Sequence, residues 1–409
     1  MTSLLSEGIE NHFVEKTTIS RKMTIDGITA AYPVYRVRLD QLYYNDQNDR
    51  IATWISKYKA EHGGKMPDKT DIESYNNVIE KFIVESNPDA IKKTQKNIEL
   101  FEQREPGVVL NDGRIIDGNR RFTCLRRLSK ENPKFNYFET VILDRDITTN
   151  AKAIKLLELS IQHGEEEKVD YDPVDRLVGV YNDIIDSQLL TVEEYAQSTN
   201  ESVNDVKKRV QVSQLMVDFL EYIGAPKEFY IARDLQIDGP LEELPAMLKK
   251  CATEDEKEDL KISAFTNILA QPSGDMTRFV RKFKKVVGTN LQNEFLAEQK
   301  DLAEKVINTI PADKEVTTSV IRDTVRANDD IEEELNRSLE KYVEKSNKKQ
   351  TLVRPIKLVE SAGDQLENID VNIFKKMDKA DIDKLKMQLN RTKELLSAIE
   401  DGLNGMDEA

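Results

Sequence analysis

The sequence predicts an α+β N-terminal domain followed by an all-α region, and three observations predict it. Short apolar runs at 107–110, 114–116 and 138–146 are separated by turn residues and one amphipathic helix, the pattern of a small sheet. From Asp172-Pro173 onward, apolar residues recur at helical spacing behind Asp, Thr and Ser caps. Near the C-terminus Ile382, Leu385, Leu389, Thr392, Leu396, Ile399 and Leu403 step by three and four, a heptad seam suited to a helical hairpin or a coiled coil. The expected divisions are an N-terminal arm at 1–30, an α+β domain at 31–170 with a helical insertion at 51–103, a helix-turn-helix-containing domain at 171–250 and a C-terminal helical region at 251–409.

Taken in order, the arm is expected to be irregular, with a short strand around Met23 to Ile28. Ile51 to His62 is helical and stops at Gly63-Gly64. Lys65 to Gln103 stays helical, starting near Thr70-Asp71 and carrying Val78, Ile79, Phe82 and Ile83 on one face. Gly107 to Leu110, the turn Asn111-Asp112-Gly113 and Arg114 to Ile116 form a hairpin at a sheet edge. Val174 to Asp186 reads as one helix. Thr191 then caps a short helix, and after a turn over Gln197 to Glu201, Ser202 caps a second one running to Leu215. That pair is a candidate helix-turn-helix, with Asn204, Lys207, Lys208 and Gln211 pointing outward toward phosphates or base edges. Gln271-Pro272-Ser273-Gly274 interrupts the helical pattern of 262–287, and helical spacing continues over 291–310 and 327–349.

The chemistry concentrates between Val108 and Leu128, VVLNDGRIIDGNRRFTCLRRL. Gly118 lets a backbone approach a ligand closely, and the helix that follows offers unpaired N–H groups at the positive end of its dipole. Asn119, Arg120 and Arg121 add polar and forked cationic donors suited to phosphate oxygens. Asp117 either caps the turn or serves as a base, and the capping role is the preferred reading.

This stretch resembles the N-terminal domain shared by ParB partition proteins and sulfiredoxins, whose phosphate-binding turn reads GERR in many ParB proteins. The run VRLDQLYYNDQNDR, Val37 to Arg50, resembles the opening ParB box, with Asn45 and Arg50 on matching positions and the usual prolines missing. FETVILDRD resembles the following strand, and the order agrees over roughly Ala31 to Pro226. The resemblance implies a nucleoside triphosphate, CTP or ATP with Mg2+, on the turn, with Asn45, Arg50, Gln162 and His163 contributing to the pocket. The Glu-Asn-x-x-Arg box of the family is replaced, however, by Leu159, Ser160, Ile161, Gln162 and His163. Leu159 cannot supply the oxygen that a hard cation needs. Sulfiredoxin chemistry needs a cysteine inside the turn, and Cys124 falls on the helix three residues beyond Arg121.

Composition narrows the rest. A net charge of −15 argues against a surface that coats nucleic acid throughout, while leaving room for a local basic face. The cluster Arg278, Arg281, Lys282, Lys284 and Lys285 reads as a solvated helix face. Two cysteines provide no disulfide framework, and neither a secretory signal nor a membrane-length apolar run is evident, so a cytoplasmic location is expected. Neither zinc-ligand spacing nor a Walker-type loop occurs. Three functional classes follow: a ligand-controlled regulator binding DNA or a partner; an enzyme on the same fold acting as a nucleotide hydrolase, small-molecule kinase or nuclease; and a non-catalytic adaptor. Self-association or a protein partner is expected through the C-terminal helices.

Overall fold

The computed structural model describes residues 3–25, 27–145, 147–164 and 172–407. The chain divides into two compact units, Met1–Glu344 and Lys345–Ala409.

The first unit opens with β1 (Val14–Ile25) and β2 (Ile28–Arg38), a long antiparallel pair reversed at Gly27, whose φ of 77° suits a residue without a side chain. This corrects the irregular arm expected for 1–30. β1 lies at the sheet edge, where most of its side chains face solvent, so it lacks the apolar alternation that marks a half-buried strand. Only Val14, Met23 and Ile25 of β1 are buried.

Three helices follow: α1 (Ala52–Glu61), α2 (Ile72–Ser86) and α3 (Pro88–Phe101). The expected helical stretch 65–103 is two helices, because Asn87 caps α3 and Pro88 occupies its first turn. Next come β3 (Gly107–Leu110), β4 (Ile115–Asp117), α4 (Asn119–Ser129), β5 (Tyr137–Leu143) and α5 (Ile147–Gly164). The strands form one mixed sheet ordered β1-β2-β5-β3-β4, parallel only between β3 and β5.

Both faces of the sheet are covered. Val109, Ile115, Phe138 and Ile142 pack with Phe122 of α4, Ile79 of α2 and Ile98 of α3. Their alternates Val108, Leu110, Ile116 and Val141 pack with Ile154 and Leu157 of α5. The period-two alternation of short strands thus feeds two separate cores, and β4 at the far edge carries its last residue, Asp117, to the start of α4.

The remainder is helical: α6 (Pro173–Val180), α7 (Val192–Thr199), α8 (Val203–Tyr222), α9 (Phe229–Asp234), α10 (Asp238–Glu242), α11 (Leu244–Leu248), α12 (Glu254–Ala270), α13 (Met276–Arg281), α14 (Gln292–Ile307), α15 (Thr318–Thr324), α16 (Asp329–Glu367) and α17 (Lys379–Asp407). An α+β sheet portion followed by a mostly helical region is the architecture the sequence predicts. One apolar core draws on residues from Val174 to Val343, so the stretches on either side of residue 250 share it. The helix expected over 174–186 is wound as α6 and then as a π-helical turn, Tyr181–Asp186. Thr191 and Glu194 complete a capping box at α7, Asn200 turns the chain in the left-handed region, and Ser202 caps α8. α8 runs past the expected end at Leu215 because Met216, Val217, Phe219 and Leu220 join the helical core.

In the second unit the heptad seam of α17 is partly covered, with Ile382, Leu385 and Thr392 half-buried. Leu389 and Leu396 are 40% and 42% exposed, and Leu352, Ile356 and Val359 in the outer part of α16 are exposed as well. Among the described residues, no helix is long and apolar enough to cross a membrane.

Candidate functional site

The turn between β4 and α4 is built by close packing. Gly118 has φ 101°, and a Cβ there would lie 2.8 Å from Cζ of Phe138 on β5 and 3.3 Å from the Arg121 guanidinium. Glycine is needed at this position for both reasons. No side chain caps α4, so its first N–H groups remain oriented toward whatever sits at the turn. The Asp117 carboxylate accepts from Arg121 Nη2 at 3.0 Å and from Arg21 Nη1, reaching over from β1, at 3.1 Å. Asp117 therefore braces the turn with two ion pairs, both made through Oδ2.

Arg120 differs from its neighbour. Among the described residues it has no ion-pair or hydrogen-bond partner. Burial, then the nearby Arg50, then Arg121, push its pKa below the ordinary arginine value. The Oδ1 of Asn119 is likewise buried with no hydrogen-bond partner. These groups face a cavity of about 700 Å³. Six of the sequence-predicted residues, Arg50, Gly118, Asn119, Arg120, Arg121 and Gln162, line it together with Asp117.

The cationic end is held rigidly. Further along α4, Arg126 donates to Glu80 at 2.9 Å, Asn77 at 2.8 Å and Glu73 at 3.2 Å, fixing α2 against α4. The Tyr44 and Thr123 hydroxyls share a buried hydrogen bond of 2.7 Å. Cys124 is buried with its thiol toward the Ile91 carbonyl, and burial pushes its pKa up to about 12, the setting of an inert thiol.

Other walls are closed from the helical part by Asp172, which the sequence offered as a possible magnesium ligand, and by Asp175 and Arg233, which sequence reasoning missed. Arg233 donates to the Thr53 hydroxyl at 3.0 Å, pairs with Asp172 at 3.3 Å and stacks over the Trp54 ring, its guanidinium carbon 4.7 Å from the centroid. Asp175 accepts from the Thr53 backbone N–H at 3.1 Å, and burial raises its pKa to about 7. Their distance in sequence from the turn hides them; only the Asp-Pro cap at 172–173 is a local signal.

Asn45 does not line the cavity. It is buried behind it, donating at 3.4 Å to Glu158, which also accepts from Gln162 at 3.1 Å. Glu158, Lys155, Asp49 and Asp183 form a buried group in which Lys155 contacts Asp49 at 3.0 Å and Asp183 at 3.3 Å. Burial is the first cause that raises Glu158 to about 7. The group joins α5, the short turn Asp49–Ile51 and the π-helical turn after α6. Gly179 permits this contact, since a Cβ there would meet the Asp49 carboxylate at 2.7 Å. Leu159, where the resemblance places an acid, is fully buried among Val180, Tyr195 and Val206. The carboxylate of α5 that faces polar groups is Glu158, one residue earlier; its spacing with Lys155 and Gln162 was the available clue. The His163 side chain lies outside the described residues. Among the described residues, no cluster of three or more His, Cys, Asp or Glu could hold a metal ion.

On α8, Asn204, Lys207, Lys208 and Gln211 are all exposed. Lys208 is 3.6 Å from Glu242, and Arg209 is paired with Glu201 at 2.6 Å. In the second basic cluster, Arg281 and Lys284 both pair with Glu243, Arg278 pairs with Asp275 and Lys282 with Glu340, as a solvated helix face does.

No protein-family profile and no curated protein matches the sequence. Among solved structures, the chain is similar to one described as the C2221 form of a Pnob8-like ParB-N domain, with a TM-score of 0.34 and 14% identity, covering 68% of this chain and 98% of that one.

Proposed function

We propose that this chain is a ligand-responsive regulator in which a phosphate-bearing ligand seats on the Asp117–Arg121 turn and controls how the helical part engages DNA or a protein. The expected ligand class is a nucleoside triphosphate, CTP or ATP, with Mg2+ carried on its phosphates. Arg120 carries the reading. A half-buried guanidinium beside Arg50 and Arg121, with no partner among the described residues, is unfavourable alone and is relieved by an anion. Helix α4 adds its N-terminal N–H groups at the same place.

Control follows from what else lines the cavity. A ligand there touches the sheet portion through Arg50 and Arg120 and the helical part through Asp172, Asp175 and Arg233. Phosphate near Arg233 competes with Asp172 for the guanidinium, so the ligand biases the contact that α9 makes with α1. The exposed face of α8 then supplies the polar and basic groups for a nucleic-acid backbone. Because Asp117 is held in two ion pairs, binding is favoured over turnover.

The test is calorimetric titration of the full chain with CTP, ATP and GTP, with and without Mg2+, beside Arg120→Ala. Loss of a charge-assisted contact weakens binding at least about tenfold, at about 1.5–3 kcal/mol per bond. Binding unaffected by Arg120→Ala would move the site elsewhere. No binding of any triphosphate would favour the adaptor reading, which the buried Leu159 also suits.

A further inference from the structure

The cavity is chemically asymmetric. Arg50, Arg120 and Arg121 line it from the turn; the α2–α3 insertion, packed beside α4, lines it with Ile83, Thr94, Asn97 and Ile98, and the loop after α3 adds Glu102, Arg104 and Glu105. About 700 Å³ is far more than phosphate groups alone require and falls within the range of pockets for nucleotide-sized ligands. Thr94 and Asn97 lie one turn apart on α3, half-buried and exposed respectively, and neither side chain hydrogen-bonds to a described residue. Their apolar neighbours Ile83 and Ile98 are buried. Uncharged donors and acceptors beside apolar carbon suit a planar base and its sugar rather than another phosphate.

The wall is also fixed relative to the turn. Ile91 and Ile98 anchor α3 in the core, and Arg127 of α4 donates to Gln95 at 3.0 Å. Where α3 ends, Glu102 adopts φ 61° and ψ −172°, a conformation that a residue with a side chain keeps only when its surroundings impose it. The next residue supplies the constraint: the Gln103 amide donates to the Glu139 carbonyl at 2.7 Å and accepts the Glu139 N–H at 2.9 Å, clamping the loop to β5.

We propose that the α2–α3 insertion is the selectivity wall of this site, with Thr94 and Asn97 reading the base or sugar of a nucleotide whose phosphates lie at Arg120. The inference rests on the phosphate reading of the turn, and its test separates the two. The full chain is titrated with CTP, ATP, GTP and inorganic tripolyphosphate, as native protein and as Thr94→Val/Asn97→Ala. Both positions reach solvent, so the variant keeps the fold, which circular dichroism checks. One nucleotide should bind native protein at least about tenfold more tightly than tripolyphosphate, from two hydrogen bonds of ordinary net strength. The double variant should lose that margin and leave tripolyphosphate affinity unchanged. Equal affinity of native protein for nucleotides and tripolyphosphate, or a variant that weakens both alike, overturns the selectivity wall while the phosphate site stands. If tripolyphosphate and nucleotides both fail to bind, the phosphate reading fails and this inference falls with it.

Discussion

Replacing Glu158 with glutamine should make the protein more stable at alkaline pH and leave it unchanged in mild acid. Glu158 is 3% exposed, and burial, opposed by Lys155 and reinforced by Asp49 and Asp183, raises it from 4.5 to about 7. In the unfolded chain it releases its proton near the ordinary value. Between these two pH values the folded state binds more protons than the unfolded state, so stability falls as pH rises through the window. Above about pH 7 the loss is complete, at about 3 kcal/mol. Below the unfolded value both states hold the proton, and the group contributes nothing. Glutamine mimics the protonated acid, one oxygen accepting from Gln162 or Asn45 while the other position carries hydrogen. Asp183 and Asp175 are raised by burial too and remain in the variant, so the difference between the two profiles isolates Glu158 and its coupling to its neighbours. Denaturant unfolding followed through Trp54, the single tryptophan, measures it. The two proteins should agree near about pH 4, diverge as pH rises from there, and differ by about 3 kcal/mol near about pH 8, with the variant the more stable. Parallel profiles across that range would refute the assignment of Glu158 as a buried, upward-shifted acid.

Three further outcomes are expected. Gly118→Ala should destabilise the first unit by about 1–3 kcal/mol, from left-handed strain and the Phe138 contact, and should weaken triphosphate binding; thermal unfolding and calorimetry read both. If α8 contacts a nucleic-acid backbone, Lys207→Ala/Lys208→Ala should lower affinity for all duplex sequences alike and shallow the salt dependence by about one charge per lysine, so an unchanged slope would place the contact elsewhere. If the α17 seam pairs with a second copy, Leu389→Lys/Leu396→Lys should shift the protein to monomer in sedimentation velocity, and identical profiles would remove the seam from any such contact.

Features under local chemical control were legible in the chain. The short apolar runs at 107–110 and 114–116 around Asn111-Asp112-Gly113 specified the hairpin, and the Asp-Gly-Asn-Arg-Arg run specified a glycine turn leading into a helix N-terminus. Caps at Asp71, Asp172, Thr191 and Ser202 marked helix starts where they occur. What only the tertiary structure decided depends on residues far apart in the chain. β1 is a strand because β2 pairs with it, not because its own pattern requires one. Arg121 is braced on Asp117, which also meets Arg21 of that same strand, and among the described residues Arg120 beside it has no partner. The acid of α5 that meets polar groups is Glu158, because Leu159 turns into an apolar cluster with Val180 and Tyr195. The insertion becomes a cavity wall because Arg126 and Ile91 dock it on α4. Sequence spacing fixes which face of an element is apolar, whereas the identity of the groups that meet across that face is set by long-range packing, and the electrostatics of this site reside in those meetings.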